Sequence, residues 1–218
     1  MKIHSPKLEK LIRAQSFQKE IKLAKQEEVE IVNKLFIECQ EERLDEIEIE
    51  LSKCEFQSCH FCHSSFTHCD LSDTVFKECD FSNCDFSQSN FVRVTFENCK
   101  LVGCNFSEAS FYQIEIKKSN LSYANFSLGV LKQVSIYNSK AQNSSFQEVK
   151  WEKIKLEETD FTLAQFFRTT LNHIDFFSCN IEGIVVRLED LKGVTTTQYQ
   201  AIQFAKLLGI IIKEELIG

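Results

Sequence analysis

The stretch CDFSNCDFSQSNF at residues 79–91 places phenylalanine at every fifth position, and the same frame extends far in both directions. From Leu51 to Leu191, all 29 positions spaced five apart are apolar, and fifteen of them are Phe. A second series of positions, two residues before the apolar ones, is occupied mostly by small residues, and we call it the small column. It contains nine of the ten Cys when Cys39 is counted. The residue before each large apolar position is often Asp or Asn, and the residue after it is often Ser or Thr. The repeating unit is therefore small, polar, large apolar, Ser or Thr, variable.

A period of five fits neither of the regular secondary structures. On an α-helix, five residues advance about 140° past a full turn, so the apolar positions would wander around the helix and bury no single face. In a long straight strand, successive members of the series would point to opposite faces because five is odd. The remaining solution is a short extended piece and a corner in every unit, with the small and large positions both facing inward. Coils of such pieces form a β-solenoid, so the sequence predicts an all-β fold.

Two segments carry a resemblance to a known family. CDFSNCDFS at 79–87 and NLSYANFS at 120–127 resemble pentapeptide-repeat proteins, whose units follow the pattern A(D/N)LxX. The resemblance covers about two thirds of the chain. It implies a right-handed quadrilateral β-helix with four units, or twenty residues, in each coil. Cys39, Cys59, Cys79 and Cys99, spaced twenty apart, agree with this coil length. The repeats then make about seven coils, stacked at about 4.8 Å.

The frame divides the chain into three parts. Residues 1–50 form an N-terminal helical extension and irregular cap, residues 51–193 the β-helix, and residues 194–218 a C-terminal helix and dimerisation tail. Residues 1 to about 35 are predicted to be helical. Glu41 and Glu46 occupy frame positions that should be apolar, so either the first coil is irregular, with Ile47 and Ile49 substituting, or residues 41–46 bulge outward. We expect this region to shield the open edge of the first coil, with a partner-binding helix as the alternative.

The sequence after the repeats predicts a helix followed by a short strand. TTTQYQAIQFAKLLG at residues 195–209 begins with Thr caps and stops at Gly209. Ile210–Ile212 then form a strand that is an aggregation hazard unless it is paired or buried. We therefore predict a two-fold homodimer through this tail. Its predicted interface residues are Tyr199, Ile202, Phe204, Leu207, Leu208, Ile210, Ile211 and Ile212.

The tail also carries the resemblance that bears most on function. Residues 191–212, LKGVTTTQYQAIQFAKLLGIII, resemble the C-terminal tail of the quinolone-resistance (Qnr-type) subfamily of pentapeptide-repeat proteins. In that subfamily the tail forms the dimer interface, and the members bind type II DNA topoisomerases. One departure is that resistance proteins of Gram-negative type usually carry loops between repeats, whereas this frame is unbroken from 51 to 191. The matching positions are Leu191, Gly193, Val194, Tyr199, Gln200, Ala201, Leu208, Gly209 and Ile210.

The distribution of charge favours a basic partner over nucleic acid. A net charge of −7 disfavours direct nucleic-acid binding, which works by counterion release from phosphates. At twenty residues per coil, the face centred on Phe56, Phe76 and Phe96 carries seven acids against four lysines. A long acidic stripe on a rod would fit a basic groove that normally receives DNA. The predicted partner-binding residues on this face are Glu55, Glu78, Glu97, Glu115, Glu157, Glu158 and Asp175.

We find no motif for catalysis, a cofactor or a metal, and we expect a protein that is not an enzyme. The run CHFCHSSFTHC at residues 59–69 superficially suits zinc. However, Cys59 and Cys69 occupy inward positions whereas Cys62, His63 and His68 occupy outward ones, so these ligands diverge. The inward cysteines, such as Cys59, Cys79 and Cys99, are expected to be reduced core thiols. Six glycines leave no glycine-rich phosphate loop.

The chain is expected to be cytoplasmic and to make no contact with a membrane. No stretch approaches the roughly 20 apolar residues that a membrane helix needs. The N-terminus, MKIHSPKLEK, lacks the apolar segment of a secretion signal.

Two hypotheses about function follow. The first is a DNA-mimicking protein that binds DNA gyrase or topoisomerase IV and modulates it, with protection from quinolones as the expected consequence. The second is a generic pentapeptide-repeat scaffold that binds an unrelated protein through its N-terminal helix or through outward apolar residues.

Overall fold

The computed structural model describes residues 3–213 as a stack of short parallel strands with a helix at each end. Residues 1–2 and 214–218, which belong to the two predicted terminal regions, lie outside the described residues. The elements are β1 (Ile12–Arg13), α1 (Phe17–Glu27), β2 (Ile31–Val32), β3 (Lys34–Ile37), β4 (Asp45–Ile47), β5 (Glu50–Ser52), β6 (Glu55–Gln57), β7 (Ser65–Thr67), β8 (Asp70–Ser72), β9 (Val75–Lys77), β10 (Asn90–Val92), β11 (Thr95–Glu97), β12 (Ser110–Lys117), β13 (Val130–Tyr137), β14 (Lys150–Glu157), a 3₁₀ helix (Leu188–Leu191) and α2 (Gln198–Leu207).

The coil strands pair in parallel at a constant offset of twenty residues. Phe56 pairs with Phe76, and Phe91 pairs with Phe111. The bridge between Asp175 and Thr195, near the C-terminal end of the stack, has the same offset. This register confirms the predicted all-β solenoid with twenty residues per coil. Because the offset does not change, no loop is inserted between the paired coils.

Each coil has four faces, which we name after their central apolar residue in an early coil: the Leu51, Phe56, Phe61 and Phe66 faces. The Leu51 and Phe56 faces consist of paired strands. The Phe61 and Phe66 faces consist mainly of turns joined by single bridges, such as the bridge between His60 and Asp80.

The chain turns a corner at the second residue after each large apolar position. Ser58, His63 and Asp73 have φ angles of +51°, +58° and +47°, in the left-handed region. This is the corner that a period of five requires, because it lets consecutive large residues all face the interior.

Columns of phenylalanine fill the interior. Phe86 is only 3% exposed, and its ring stacks between those of Phe66 and Phe106, with centroids 5.2 and 5.4 Å away. Neighbouring columns meet edge to face, as at Phe81 and Phe86 with centroids 5.5 Å apart. Stacked and edge-to-face geometries are both favourable for aromatic rings, so a square interior can be filled by one residue type.

The inward small residues complete the hydrogen bonds of the interior backbone. Ser89 Oγ donates to the carbonyl of Phe66 at 2.9 Å and accepts from the backbone N–H of Cys69 at 3.0 Å. The thiol of Cys84 donates to the carbonyl of Phe61 at 2.8 Å. Buried backbone groups need partners, and Ser, Thr and Cys combine a small volume with a polar hydrogen. This requirement explains the abundance of these residues in the small column.

The N-terminal region is less helical than the sequence predicts. The prediction was a helix over residues 1 to about 35, but among residues 3–35 only α1 is helical, and β1 pairs with β3 along the edge of the first coil. β2 already pairs in coil register with β5, so the coils begin at residue 31 and not at the predicted boundary near residue 50. An unpaired edge strand is prone to association, and β1 covers this one.

Glu41 and Glu46 neither disrupt the first coil nor bulge from it, which corrects both sequence alternatives. β4 pairs in register with β7, and both carboxylates face α1. Glu41 accepts hydrogen bonds from the backbone N–H groups of Phe17 and Gln18 at 2.9 and 2.8 Å, and Glu46 pairs with Lys25 at 2.6 Å. A carboxylate at a helix N-terminus is favoured by the helix dipole. The two acids therefore hold the capping helix in place.

Phe17 closes the phenylalanine core at this end. It is 3% exposed, and its ring packs edge-on against Phe36, Phe56 and Phe61 with centroids 5.2 to 5.3 Å away. The helix thus covers the open end of the first coil with an apolar side chain.

The C-terminal helix is attached to the last coil through Gln200. Thr197 Oγ1 accepts from the N–H of Gln200, and Gln200 Oε1 accepts from the N–H of Thr197, which is a capping box. Gln200 Nε2 also donates to the carbonyls of Phe176 and Cys179 at 2.9 and 2.8 Å. The predicted Thr cap and the stop at Gly209, with φ +73°, are confirmed. Ile210–Lys213 form no strand in the single chain, and their pairing stays a prediction that needs a second copy.

Replacing Phe86 with Ala is expected to lower the free energy of unfolding by roughly 3 to 5 kcal/mol, because it leaves a cavity between two stacked rings. Thermal or urea unfolding measures the change. Phe177→Ala is the matched control, since Phe177 is 67% exposed and its removal should change stability little. Equal melting temperatures for Phe86→Ala and the unaltered protein would contradict the inward assignment.

Replacing Glu41 with Gln is expected to lower the free energy of unfolding by about 1 kcal/mol, since the charged acceptor at the N-terminus of α1 is lost. Glu42→Gln is the control, because Glu42 is exposed and makes no hydrogen bond or ion pair with α1 among the described residues. If both variants melt alike, Glu41 does not hold the cap.

Candidate partner-binding surfaces

The acids predicted to bind a partner lie along the Phe56 face, and four of the seven form ion pairs on that face. Glu55 is only 8% exposed and accepts from Lys77 Nζ at 2.7 Å and from Gln57 Nε2 at 2.9 Å. Burial alone would raise the pKa of Glu55, but its hydrogen bonds with Lys77 and Gln57 bring the pKa below its ordinary value of 4.5. The charge of Glu55 is therefore satisfied within the coil.

Two other lysines neutralise the remaining strand acids of this face. Lys117 Nζ lies 3.6 Å from the carboxylate of Glu97 and 3.1 Å from that of Glu115. Lys155 Nζ lies 2.7 Å from the carboxylate of Glu157. The face therefore presents alternating ion pairs along its strands in place of a continuous acidic stripe.

Three of the predicted acids make no ion pair within the described residues. Glu78, Glu158 and Asp175 are all exposed. Glu78 accepts only from the hydroxyl of Ser58, at 3.1 Å, and Asp175 accepts from the backbone N–H of Phe177 at 2.8 Å. On this face, these three carboxylates are the ones left to meet a basic partner.

The densest negative charge lies instead at the N-terminal end of the solenoid. Residues 27–50 contain ten Asp or Glu against Lys34 and Arg43, a net charge of −8, while the rest of the chain carries +1. The predicted partner-binding acids all lie in the repeats after residue 50 and do not include this region. A running sum of charge along the sequence would indicate it. Eight of these acids are exposed and make no ion pair in the part of the chain that is described: Glu27, Glu28, Glu30, Glu38, Glu42, Asp45, Glu48 and Glu50.

Most of the predicted dimer residues are exposed in the single chain. Ile202 and Phe204 are partly buried, and Phe204 packs against the core. Ile211 is 87% exposed. A contiguous set of exposed apolar side chains commonly marks an interaction surface. The exposed members are Tyr199, Leu207, Leu208, Ile210, Ile211 and Ile212.

The Cys/His run at residues 59–69 is divided between the interior and the surface. Cys59 and Cys69 are buried, whereas Cys62 is partly exposed and His63 is exposed. Over residues 3–213, no three His, Cys, Asp or Glu side chains come together in a way that would hold a metal ion.

The buried thiols have the character of core side chains. Burial raises the pKa of Cys54 to about 11 and that of Cys84 to about 12. Each therefore stays protonated near neutral pH, and the thiol form is a poor nucleophile.

Neither helix of the described chain is long and apolar enough to cross a membrane.

The ion pair of Glu55 predicts a pH-dependent effect of removing Lys77. Because the pKa of Glu55 is lowered in the folded chain, the pair stabilises the fold above pH 4.5 and loses this contribution as the pH falls below that value. Lys77→Met should therefore lower the melting temperature at pH 7 and have a smaller effect at pH 3. Lys118→Met is the control, since Lys118 is exposed and has no ion pair among the described residues. An equal loss at both pH values would contradict the assignment.

Comparison with known proteins gives similar solved structures and no match among curated proteins. Full-length QnrB1, a plasmid-mediated fluoroquinolone resistance protein, is 23% identical, with 84% of this chain and 91% of that chain covered and a TM-score of 0.46. HetL, a pentapeptide repeat protein involved in heterocyst differentiation regulation in Nostoc sp. strain PCC 7120, is 14% identical, with 75% and 87% covered and a TM-score of 0.31. The pentapeptide repeat protein Rfr23 of Cyanothece 51142 is 10% identical, with 83% and 99% covered and a TM-score of 0.29.

The family itself is identified by sequence. The family model of the pentapeptide repeat region matches residues 49–126 and 89–166. These matches together span more than half of the chain, and they coincide with coils of four five-residue units stacked at an offset of twenty residues. The chain therefore belongs to the pentapeptide-repeat family.

Proposed function

We propose that this protein is a DNA-mimicking interaction protein that binds a type II DNA topoisomerase, gyrase or topoisomerase IV, and modulates it. The observation that carries the proposal is the tail at residues 191–212, where the resemblance to the Qnr-type subfamily coincides with exposed apolar side chains. A homodimer through this tail would be two-fold symmetric, as most soluble dimers are, and would join two rods at their C-terminal ends.

The distribution of charge supports a basic partner. The acidic first coil lies at the end of the solenoid opposite the tail, so a dimer joined by its tails would be acidic at both outer ends. A protein surface that binds DNA is basic because it neutralises phosphates. Complementary charge speeds the encounter between two such surfaces. We therefore assign the main electrostatic contribution to the acids of residues 27–50, with Glu78, Glu158 and Asp175 as a second group.

A repeat frame without an inserted loop favours direct inhibition over loop-dependent rescue of a poisoned enzyme. The paired coils keep an offset of twenty residues without an inserted loop. A rod that occupies the DNA site lowers the amount of enzyme bound to DNA, and this also lowers the number of complexes that a quinolone can trap. Quinolone protection is then a consequence of competition with DNA.

A supercoiling assay with purified gyrase, with and without ciprofloxacin, tests this proposal. We expect the protein at micromolar concentration to inhibit supercoiling without the drug and to reduce drug-stabilised DNA cleavage. No effect on either gyrase or topoisomerase IV would contradict the proposal and would favour the scaffold that binds an unrelated partner.

Two triple variants with the same change in net charge distinguish the contribution of the acids in residues 27–50 from that of the unpaired acids on the Phe56 face. Neutralising Glu42, Glu48 and Glu50 to Gln should weaken inhibition at least several-fold, because exposed charge acts mainly through encounter with the basic partner. The matched variant Glu78→Gln, Glu158→Gln, Asp175→Asn should have the smaller effect. The reverse order would place the contact on the Phe56 face.

A further inference from the structure

The hydrogen bonds between successive coils are interrupted beside β14. On the Leu51 face, the backbone N–H groups of Asn90, Ser110, Val130 and Lys150 each donate to the preceding coil at 2.8 to 3.0 Å. Thr170 is the next member of this series, and in the described chain its N–H makes no such bond. The Leu51 face therefore opens between β14 and the following coil.

The Phe56 face opens at the same level. Val75, Thr95 and Glu115 donate their backbone N–H groups to the preceding coil at 2.9 to 3.1 Å, whereas Asp175 does not. Among the described strands, β14 pairs with β13 alone. The backbone N–H of Trp151, which points away from β13, has no partner within residues 3–213.

The opening is a slot within the stack and not the end of the solenoid. On the two other faces, Asn180 and Val185 still donate to the preceding coil, at 3.1 and 2.9 Å. Beyond the slot the Phe56 face closes again, because Thr195 donates to the carbonyl of Ile174 at 2.8 Å. The coils on either side are thus held at a fixed separation by the Phe61 and Phe66 faces.

Trp151 lies in this slot. It occupies a large apolar position of the frame but is only partly buried. Its indole N–H donates to the carbonyl of Thr170 at 2.6 Å, and that carbonyl is the one that the backbone N–H of Trp151 would reach in a closed stack. On the Leu51 face, a side chain has therefore replaced the backbone as the link between these two coils.

A hollow of about 640 Å³ opens next to Trp151. Val130, 46% exposed, provides apolar surface, and Lys150, Arg168 and Thr170 lie on its walls. The slot thus offers what an added strand needs: an edge with free backbone groups and apolar surface beside it.

The tail of the chain has the complementary properties. Ile210, Ile211 and Ile212 are β-branched residues with a high preference for strands, yet they make no backbone hydrogen bond within residues 3–213. All three are exposed and lie outside the hollow.

We propose that the slot beside β14 receives the Ile210–Ile212 segment of a second copy of this chain as an added strand. Exchange of the two tails makes the contact two-fold symmetric, because each copy provides one edge and one strand. The inference deepens the proposed dimer by naming where the tail binds, and it does not depend on the topoisomerase.

Trp151 is the only tryptophan of the chain and reports directly on the slot. The experiment follows its emission and the sedimentation of the full chain over the same range of concentrations, without topoisomerase. We expect dimer formation and a blue shift of the emission to share one concentration midpoint, since the strand excludes water from the indole.

Three variants make the test specific. Ile211→Lys should remain monomeric with unshifted emission, and Val130→Lys, on the slot side, should weaken dimerisation roughly tenfold or more. Leu163→Lys is the control at an exposed apolar residue that does not line the slot, and it should change neither readout. Circular dichroism checks that each variant is folded.

Three results would overturn the proposal. A dimer that forms without any change in Trp151 emission would place the tail elsewhere. If the emission is blue-shifted at every concentration and this shift requires Ile211, the slot is occupied by the tail of the same chain. A chain that stays monomeric throughout would show that a second copy is not the occupant. A failed supercoiling assay alongside a shared midpoint would reject the topoisomerase and leave the slot assignment intact.

Discussion

The structure depends on one constraint, that every coil hydrogen-bonds through its backbone to the coils on both sides at an offset of twenty residues. An isolated coil has no such partners and could not bury its apolar side chains, so stability is a property of the stack. The stacked phenylalanines follow from this spacing, because rings that repeat every coil lie about 5 Å apart, within the favourable range for aromatic pairs. The small column follows as well, since inward backbone groups need Ser, Thr or Cys as partners.

The same constraint creates a problem at each place where the stack stops. At the N-terminal end, β1 covers the strand edge and Phe17 covers the core, while Glu41 and Glu46 attach the helix. At the C-terminal end, the side chain of Gln200 donates to the carbonyls of Phe176 and Cys179 and so attaches α2 to the last coil. Beside β14, by contrast, no strand among the described residues pairs with the edge inside the stack. The two ends are therefore closed within the chain, and the internal slot is the part of the fold that a second chain can complete.

Much of the fold can be predicted from the sequence because the period of five acts locally. The apolar frame, the corner in each unit and the inward Cys column all depend on residues within one unit. The roles of Glu41 and Glu46 could not be predicted in this way, since they depend on where α1 lies in space. The acids of the Phe56 face show a similar limit: their spacing indicates a stripe, but the reach of Lys117 and its neighbours decides which carboxylates stay unpaired. Trp151 occupies a regular large apolar position of the five-residue frame, so the repeat pattern gives no indication of the slot beside it.

Native-state amide hydrogen exchange tests the coil-to-coil account most directly. In dilute, monomeric protein, the account predicts strong protection at Ser110, Val130 and Lys150, whose N–H groups bond to the preceding coil. It predicts rapid exchange at Thr170 and Asp175, which occupy equivalent positions in the repeat but face the slot. Equal protection of all five amides would show that the stack is continuous and would contradict the account.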